Sequence, residues 1–239
     1  MLQYEGTRYQ GWQKQDTTNN TIQGKLEDIL TKMTGVPTKI HGSGRTDAGV
    51  HATAQVANFS LESAKEPEKI MEYINQYLPE DIRVVEIEKV SQRFHSRLNA
   101  KEKIYTYRID NGRIPNVFWR KYTYYLDQHL DLRAMREAAD YLSGTHDFKA
   151  FCSNRRIKKS TVRTIYSISI EQEDPIIKIT FRGNGFLYHM VRLLTGTLLE
   201  VGLGMRKASD IPGIIESKER ENAGTLVPAQ GLFLEKVIY

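Results

Sequence analysis

Residues 41–52 read "HGSGRTDAGVHA", three glycines (Gly42, Gly44 and Gly49) around a single acid, Asp47, with Arg45 two residues before it. A backbone this permissive either cradles a ligand or presents one side chain on a sharp turn. The cradle fails on spacing and on charge. A Rossmann fingerprint needs glycine at position 47, a Walker loop needs Gly-Lys-Ser/Thr, and a carboxylate inside a phosphate cradle repels its ligand. A metal held by His41, Asp47 and His51 has no other Cys/His cluster to support it. What remains is a carboxylate displayed on a tight loop. Its side chain either closes an Asx-type turn on its own backbone or points into a cleft as nucleophile or general base.

The rest of the chain narrows the setting. At 239 residues it is long enough for one large core or two smaller ones, and 40% hydrophobic with 26% charged residues is ordinary globular usage. A net charge of +5 points mildly to a polyanionic partner, and the thirteen tyrosines and eight phenylalanines offer rings that stack on bases or fill a core. Cys152 is the single cysteine, which excludes a disulfide framework or a cysteine-based metal site and fits the cytoplasm. No apolar run has membrane length and no signal-peptide core is visible, so the glycosylation-like triplets at Asn19 and Asn58 read as accidental.

Helical spacing recurs four times. Ile22, Leu26, Ile29, Leu30 and Met33 form one apolar stripe, capped by Asn20 and stopped by Gly35. Pro67 opens a second helix with Ile70, Ile74, Tyr77 and Leu78 inward, ended by Pro79. Asp131 caps a third with Leu132, Met135, Ala139 and Leu142 inward and Gly144 beyond it. The fourth, from about Phe186 to Val201, is apolar on most sides and therefore buried. Between them "TAQVANFSLE", "RVVEIEKV", "KIYTYRID", "VFWRKYTYYL", "TIYSISIEQ", "IIKITF" and "GLFLEKVI" read as strands. Runs of strands between isolated helices predict an α+β fold with mostly antiparallel pairing, divided into halves at 1–98 and 99–239.

With these elements in place, "GSGRTDAGVHA" resembles, without a gap, the catalytic motif of the TruA family of tRNA pseudouridine synthases. "YEGTRYQGWQ" from Tyr4 resembles the family's first motif, with Glu5 where aspartate is usual. "KIYTY" around Tyr105, "GTHDFKAF" around Asp147, "FRGNGFLYHMVR" ending at Arg192 and "PAQGLFL" containing Leu232 follow in order, so the likeness runs from Tyr4 to the C-terminus. Family members carry further residues before the first tyrosine, which leads us to expect a trimmed first strand or a numbering that begins inside the natural protein.

The resemblance implies two related α/β-sandwich halves, the pseudouridine synthase fold, whose antiparallel sheets join across a central basic cleft. It implies an isomerase that converts uridine to pseudouridine in the anticodon arm of tRNA, at tRNA positions 38–40, as a homodimer. No nucleotide cofactor, oxidant or metal is expected, and no membrane partner. Asp47 corresponds to the nucleophile, by attack on either the base or the ribose. Tyr105 stacks on the flipped-out uracil, Arg192 pairs with the nucleophile, Arg45 contacts phosphate or helps to expel the base, and Leu232 closes the pocket. "SNRRIKKSTVR", residues 153–163, reads beside such a cleft as phosphate-binding surface through Arg155, Arg156, Lys158, Lys159 and Arg163. A non-catalytic RNA-binding module on the same fold and a hydrolase of N-glycosidic bonds using Asp47 are the alternatives.

Overall fold

The computed structural model describes residues 1–61 and 65–239. In chain order the elements are β1 (Leu2–Tyr4), α1 (Ile22–Thr34), β2 (His41–Gly42), β3 (His51–Gln55), β4 (Ala57–Asn58), α2 (Pro67–Tyr77) and β5 (Ile82–Val84). There follow β6 (Glu102–Asp110), β7 (Tyr124–Tyr125), α3 (Leu132–Leu142), β8 (Gly144–Asp147), β9 (Val162–Glu173), β10 (Ile176–Gly183), α4 (Met190–Gly202), α5 (Ile211–Ser217) and β11 (Leu232–Ile238). The fold is mixed α+β, and strand pairing is mostly antiparallel.

Two compact units divide the chain, Met1–Lys101 with Phe233–Tyr239, and Glu102–Leu232. The break lies three residues beyond the position expected from the sequence, and the last strand returns to the first unit. No local pattern announces that return. It is made through backbone pairing, parallel between β11 and β3 with Phe233 opposite His51 and Leu234 opposite Ala52.

In the first unit β1 lies between β5 and β3, antiparallel to both. α1 buries Ile22, Leu26, Ile29 and Leu30 and packs on α2, each such side chain contributing about 1.5–3 kcal/mol of transfer free energy. Its N-cap is Thr21, whose hydroxyl accepts from the Gly24 N–H at 3.2 Å, rather than the expected Asn20, whose amide instead donates to the Arg8 carbonyl. Gly35 closes the helix as expected, at φ 76°. Pro67 opens α2, but Tyr77 is exposed instead of inward. The expected strand from Thr53 is interrupted at Val56, whose carbonyl accepts from Ser43 at 2.7 Å, and its last residue, Glu62, lies outside the described residues. The strand expected over 83–90 stops at Val84.

In the second unit β8, β9 and β10 form an antiparallel meander and β6 adds antiparallel to β10, with α3 packed on β9 and on α4. Asp131 caps α3 as expected, accepting from the N–H groups of Arg133 and Ala134. α4 is buried along almost its whole length, including Thr195, Gly196 and Thr197. Thr195 and Thr197 satisfy their hydroxyls on the carbonyls of Val191 and Leu193, and a Cβ on Gly196 would lie 1.8 Å from the Thr225 carbonyl oxygen. α4 begins at Met190, not near Phe186, because His189 adopts a left-handed backbone with φ 65°.

"VFWRKYTYYL" is a strand only at Tyr124–Tyr125. Turn bonds consume the rest: the Asn116 side chain accepts from the Phe118 N–H, and the Tyr122 N–H donates to the Trp119 carbonyl. Phe118 stands 82% exposed there. α5 is absent from the sequence reading because Pro212 and Gly213 interrupt a stretch of only seven residues.

Candidate active site

Asp47 sits on the loop between β2 and β3, half-buried, between buried Thr46 and exposed Ala48. The loop is pinned from three directions. From β1, the Tyr4 hydroxyl shares a 2.7 Å hydrogen bond with the Thr46 hydroxyl. From β3, the Gln55 amide donates to the Gly44 carbonyl at 3.0 Å, and its oxygen accepts from the Ser43 hydroxyl at 2.6 Å. From residues 5–12, the Trp12 N–H donates to the Thr46 carbonyl at 3.0 Å, while the Gly49 N–H donates to the Tyr9 carbonyl at 3.3 Å. All three clamps act on the loop backbone or on neighbours of Asp47, so the loop that carries it is fixed by the residues around it.

Glycines permit the close approach. Gly11 has φ 91°, and a Cβ there would stand 2.7 Å from the Thr46 carbonyl oxygen and 3.1 Å from the Asp47 carbonyl carbon. A Cβ on Gly42 would meet the Trp12 ring at 2.5 Å. The segment carrying Gly11 is itself anchored by Asp81, which accepts from the Tyr9 hydroxyl at 2.5 Å and pairs with Arg8 at 2.6 Å. Burial pushes the Tyr4 hydroxyl pKa up to about 12, so it stays protonated as a structural bond.

Arg45 is exposed, and its Nε donates to the Gln13 amide oxygen at 2.8 Å. Of the other residues weighed as metal ligands, His41 lies at the surface with its ring 5.1 Å from that of His95. His51 is buried, accepts the Gly6 N–H on Nδ1 at 3.0 Å and stacks on Phe233. An Nδ1 that accepts places the proton of the neutral ring on Nε2.

The second unit holds Tyr105, Arg192, Leu232 and the basic segment. Tyr105 is buried on β6, its ring edge-on to Phe186 at 5.2 Å, with Tyr107 and Ile109 buried farther along the same strand face. Arg192, in the first turn of α4, donates from Nε to the Val227 carbonyl at 2.8 Å. The Tyr107 hydroxyl donates to the Pro228 carbonyl at 2.7 Å, and the ring leaves no room for a Cβ on Gly231. β6, α4 and residues 227–232 therefore gather Tyr107, Arg192 and the segment leading into buried Leu232. Burial raises the Tyr107 hydroxyl pKa against the opposing pull of the nearby Arg192 charge.

The basic segment divides. Arg156, Lys158 and Lys159 are exposed, whereas Arg155 is ion-paired with Glu221. Arg163 is half-buried and donates to the carbonyls of Ser160 and Val162, and burial lowers its pKa. Asp147, in the "GTHDFKAF" stretch, accepts from Thr161 and pairs with Lys218 at 2.9 Å. Burial resists its ionisation, but these partners hold its carboxyl below the usual range.

The family model described as tRNA pseudouridine synthase matches residues 1–99 and 138–239. The chain belongs to this family. A tRNA pseudouridine synthase A 2 of Bacillus anthracis is 46% identical over 236 residues, 99% of this chain and 96% of its own length. A tRNA pseudouridine synthase A of Bacillus sp. strain KSM-64 is 46% identical, and one of Acetivibrio thermocellus 44%, each across 100% of this chain and 98% of its own. The family match thus takes in the Asp47 loop, Arg192, Leu232 and the basic segment, while Tyr105 falls between its two stretches and is spanned by the full-length relatives. Sequence reasoning missed the residues that hold the pseudouridine synthase loop, Tyr4, Gly11, Thr46 and Gln55. The "YEGTRYQGWQ" motif contains Tyr4 and Gly11, and the Asp47 motif contains Thr46, whereas no motif marked Gln55.

Proposed function

We propose that this chain is a tRNA pseudouridine synthase, an isomerase acting on uridine in the anticodon arm at tRNA positions 38–40, with Asp47 as its nucleophile. The observation that carries the reading is the clamped Asp47 loop, in a chain whose family match takes in that loop and whose relatives span its full length. The reaction breaks the bond from ribose C1′ to uracil N1, turns the ring, and joins C1′ to C5, which gives up its proton while N1 gains one. Atoms and electrons balance within the substrate, so the chemistry calls for no oxidant and no second substrate. A carboxylate serves because it can attack and still depart, whether it adds to the base or to C1′.

In this reading Tyr105 stacks on the displaced uracil, Arg192 is the cationic partner of the nucleophile, Arg45 engages RNA beside it, and Leu232 supplies an apolar wall. Arg156, Lys158 and Lys159 bind phosphate through charge, with Arg155 and Arg163 contributing less because protein partners already hold them. The working form is a homodimer in the cytoplasm. The family resemblance supports the dimer, and the buried free thiol of Cys152 agrees with a reducing compartment. Among the described residues no helix is long and apolar enough to cross a membrane.

Incubation with an unmodified tRNA transcript, followed by mapping of pseudouridine, tests the proposal. Pseudouridine within positions 38–40 is expected. Free uracil would make the protein a hydrolase, and binding without any change in the RNA would make it a binding module.

A further inference from the structure

His189 is a residue in an unfavourable place. It takes the left-handed backbone, φ 65° and ψ 2°, at the N-cap of α4, where glycine or asparagine would be less strained and where its side chain makes no capping bond. The ring is used elsewhere. It lies on the Tyr188 ring with centroids 3.7 Å apart and planes 28° from parallel, and its Nδ1 is 2.8 Å from the Ser153 hydroxyl. The Ser153 N–H in turn donates to the Tyr188 carbonyl at 3.2 Å. Tyr188, with one face on the imidazole, remains 55% exposed.

We propose that Tyr188 is a stacking platform for an unpaired RNA base, backed and oriented by His189. This rests on the reading of the protein as an RNA-modifying enzyme. An exposed tyrosine ordinarily samples several rotamers, and ordering it on binding costs conformational entropy. Here the imidazole beneath it, itself tied to Ser153, fixes the ring beforehand. The surroundings suit a nucleic acid: Ser153 begins the segment whose Arg156, Lys158 and Lys159 are exposed, so a flat π-face stands next to a cationic stretch. Two residues earlier the same stretch supplies Phe186, which abuts Tyr105, and three residues later than His189 it supplies Arg192. One short segment thus joins the family's motif residues to an outward-facing ring.

The test is the affinity of the full-length protein for an unmodified tRNA transcript, measured across a salt series, with the melting temperature as a control for folding. Tyr188→Leu should weaken binding on the order of tenfold without altering the slope of log affinity on log salt, because the variant gives up a stacked base and keeps its phosphate partners. Tyr188→Phe should bind like wild type, and Ser153→Ala should give an intermediate loss by loosening the backing ring. Wild-type affinity in Tyr188→Leu would overturn the platform. So would an equal loss in Tyr188→Phe, which would assign the effect to the hydroxyl, or a flattened salt slope, which would assign it to charge. Pseudouridine formation by the wild type on the same transcript is scored separately. Its absence alongside intact, Tyr188-dependent binding would overturn the proposed activity and leave the platform standing.

Discussion

Replacing Gly11 with alanine tests whether the Asp47 loop is positioned by close backbone approach. Two penalties arise there. Gly11 has φ 91°, where an L-residue is strained by about 1–2 kcal/mol. The new Cβ would also stand 2.7 Å from the Thr46 carbonyl oxygen, short of ordinary contact at 3.4 Å. The neighbour that must yield is backbone held by the Trp12 N–H and, through the Thr46 hydroxyl, by Tyr4. Overpacking of this kind costs about 1–3 kcal/mol, so the total expected is roughly 2–5 kcal/mol. Gly35 provides the control, since it has φ 76° but nothing within 4 Å of its Cβ. Gly35→Ala should therefore lose only about 1–2 kcal/mol, the strain alone. Urea unfolding measures both losses, and single-turnover pseudouridine formation at saturating tRNA measures the loop. A displacement approaching 1 Å predicts a rate lower by about 10²-fold in Gly11→Ala and a wild-type rate in Gly35→Ala. Equal stability losses and equal rates in the two variants would refute the reasoning.

Other consequences are as specific. The Tyr4 hydroxyl pKa is raised from 10.0 to about 12, so its contribution is fully present below pH 10 and is lost as pH climbs through 12. The loss amounts to about 3 kcal/mol, and a plot of unfolding free energy against pH should lose this slope in Tyr4→Phe. Replacing Arg156, Lys158 and Lys159 with alanine should flatten the salt dependence of tRNA binding by about 0.9 for each phosphate no longer neutralised, whereas Arg155→Ala, already paired with Glu221, should change it little. Unequal slopes in the opposite sense would turn this segment away from the RNA. Gly196→Ala places a Cβ 1.8 Å from the Thr225 carbonyl inside a buried helix, and thermal melting should show a loss of about 3 kcal/mol or no folded protein.

How far the sequence revealed this molecule depended on the range of the deciding interaction. The caps at Asp131 and Gly35 and the stripe Ile22, Leu26, Ile29 and Leu30 are local, and they read correctly. Thr21 displaced Asn20 as N-cap because the asparagine amide found the Arg8 carbonyl, twelve residues away. α4 began late because His189 adopts a backbone that residue type rarely takes. Aromatic content made 117–126 look like a strand, yet turn bonds around Asn116 and Trp119 take most of it out of the sheet. At the site, Asp47 stood out through its flanking glycines. The clamp of Tyr4, Gly11 and Gln55 spans sequence separations of up to 51 residues, which no periodicity encodes.

The central claim is that Asp47 attacks. Wild type and Asp47→Asn, each in excess over an unmodified tRNA transcript, should bind it with similar affinity. Wild type should yield pseudouridine at positions 38–40 and the variant none, since an amide keeps the shape of the carboxylate but is a far poorer nucleophile. Pseudouridine formed by pure Asp47→Asn at a rate near wild type would contradict the account.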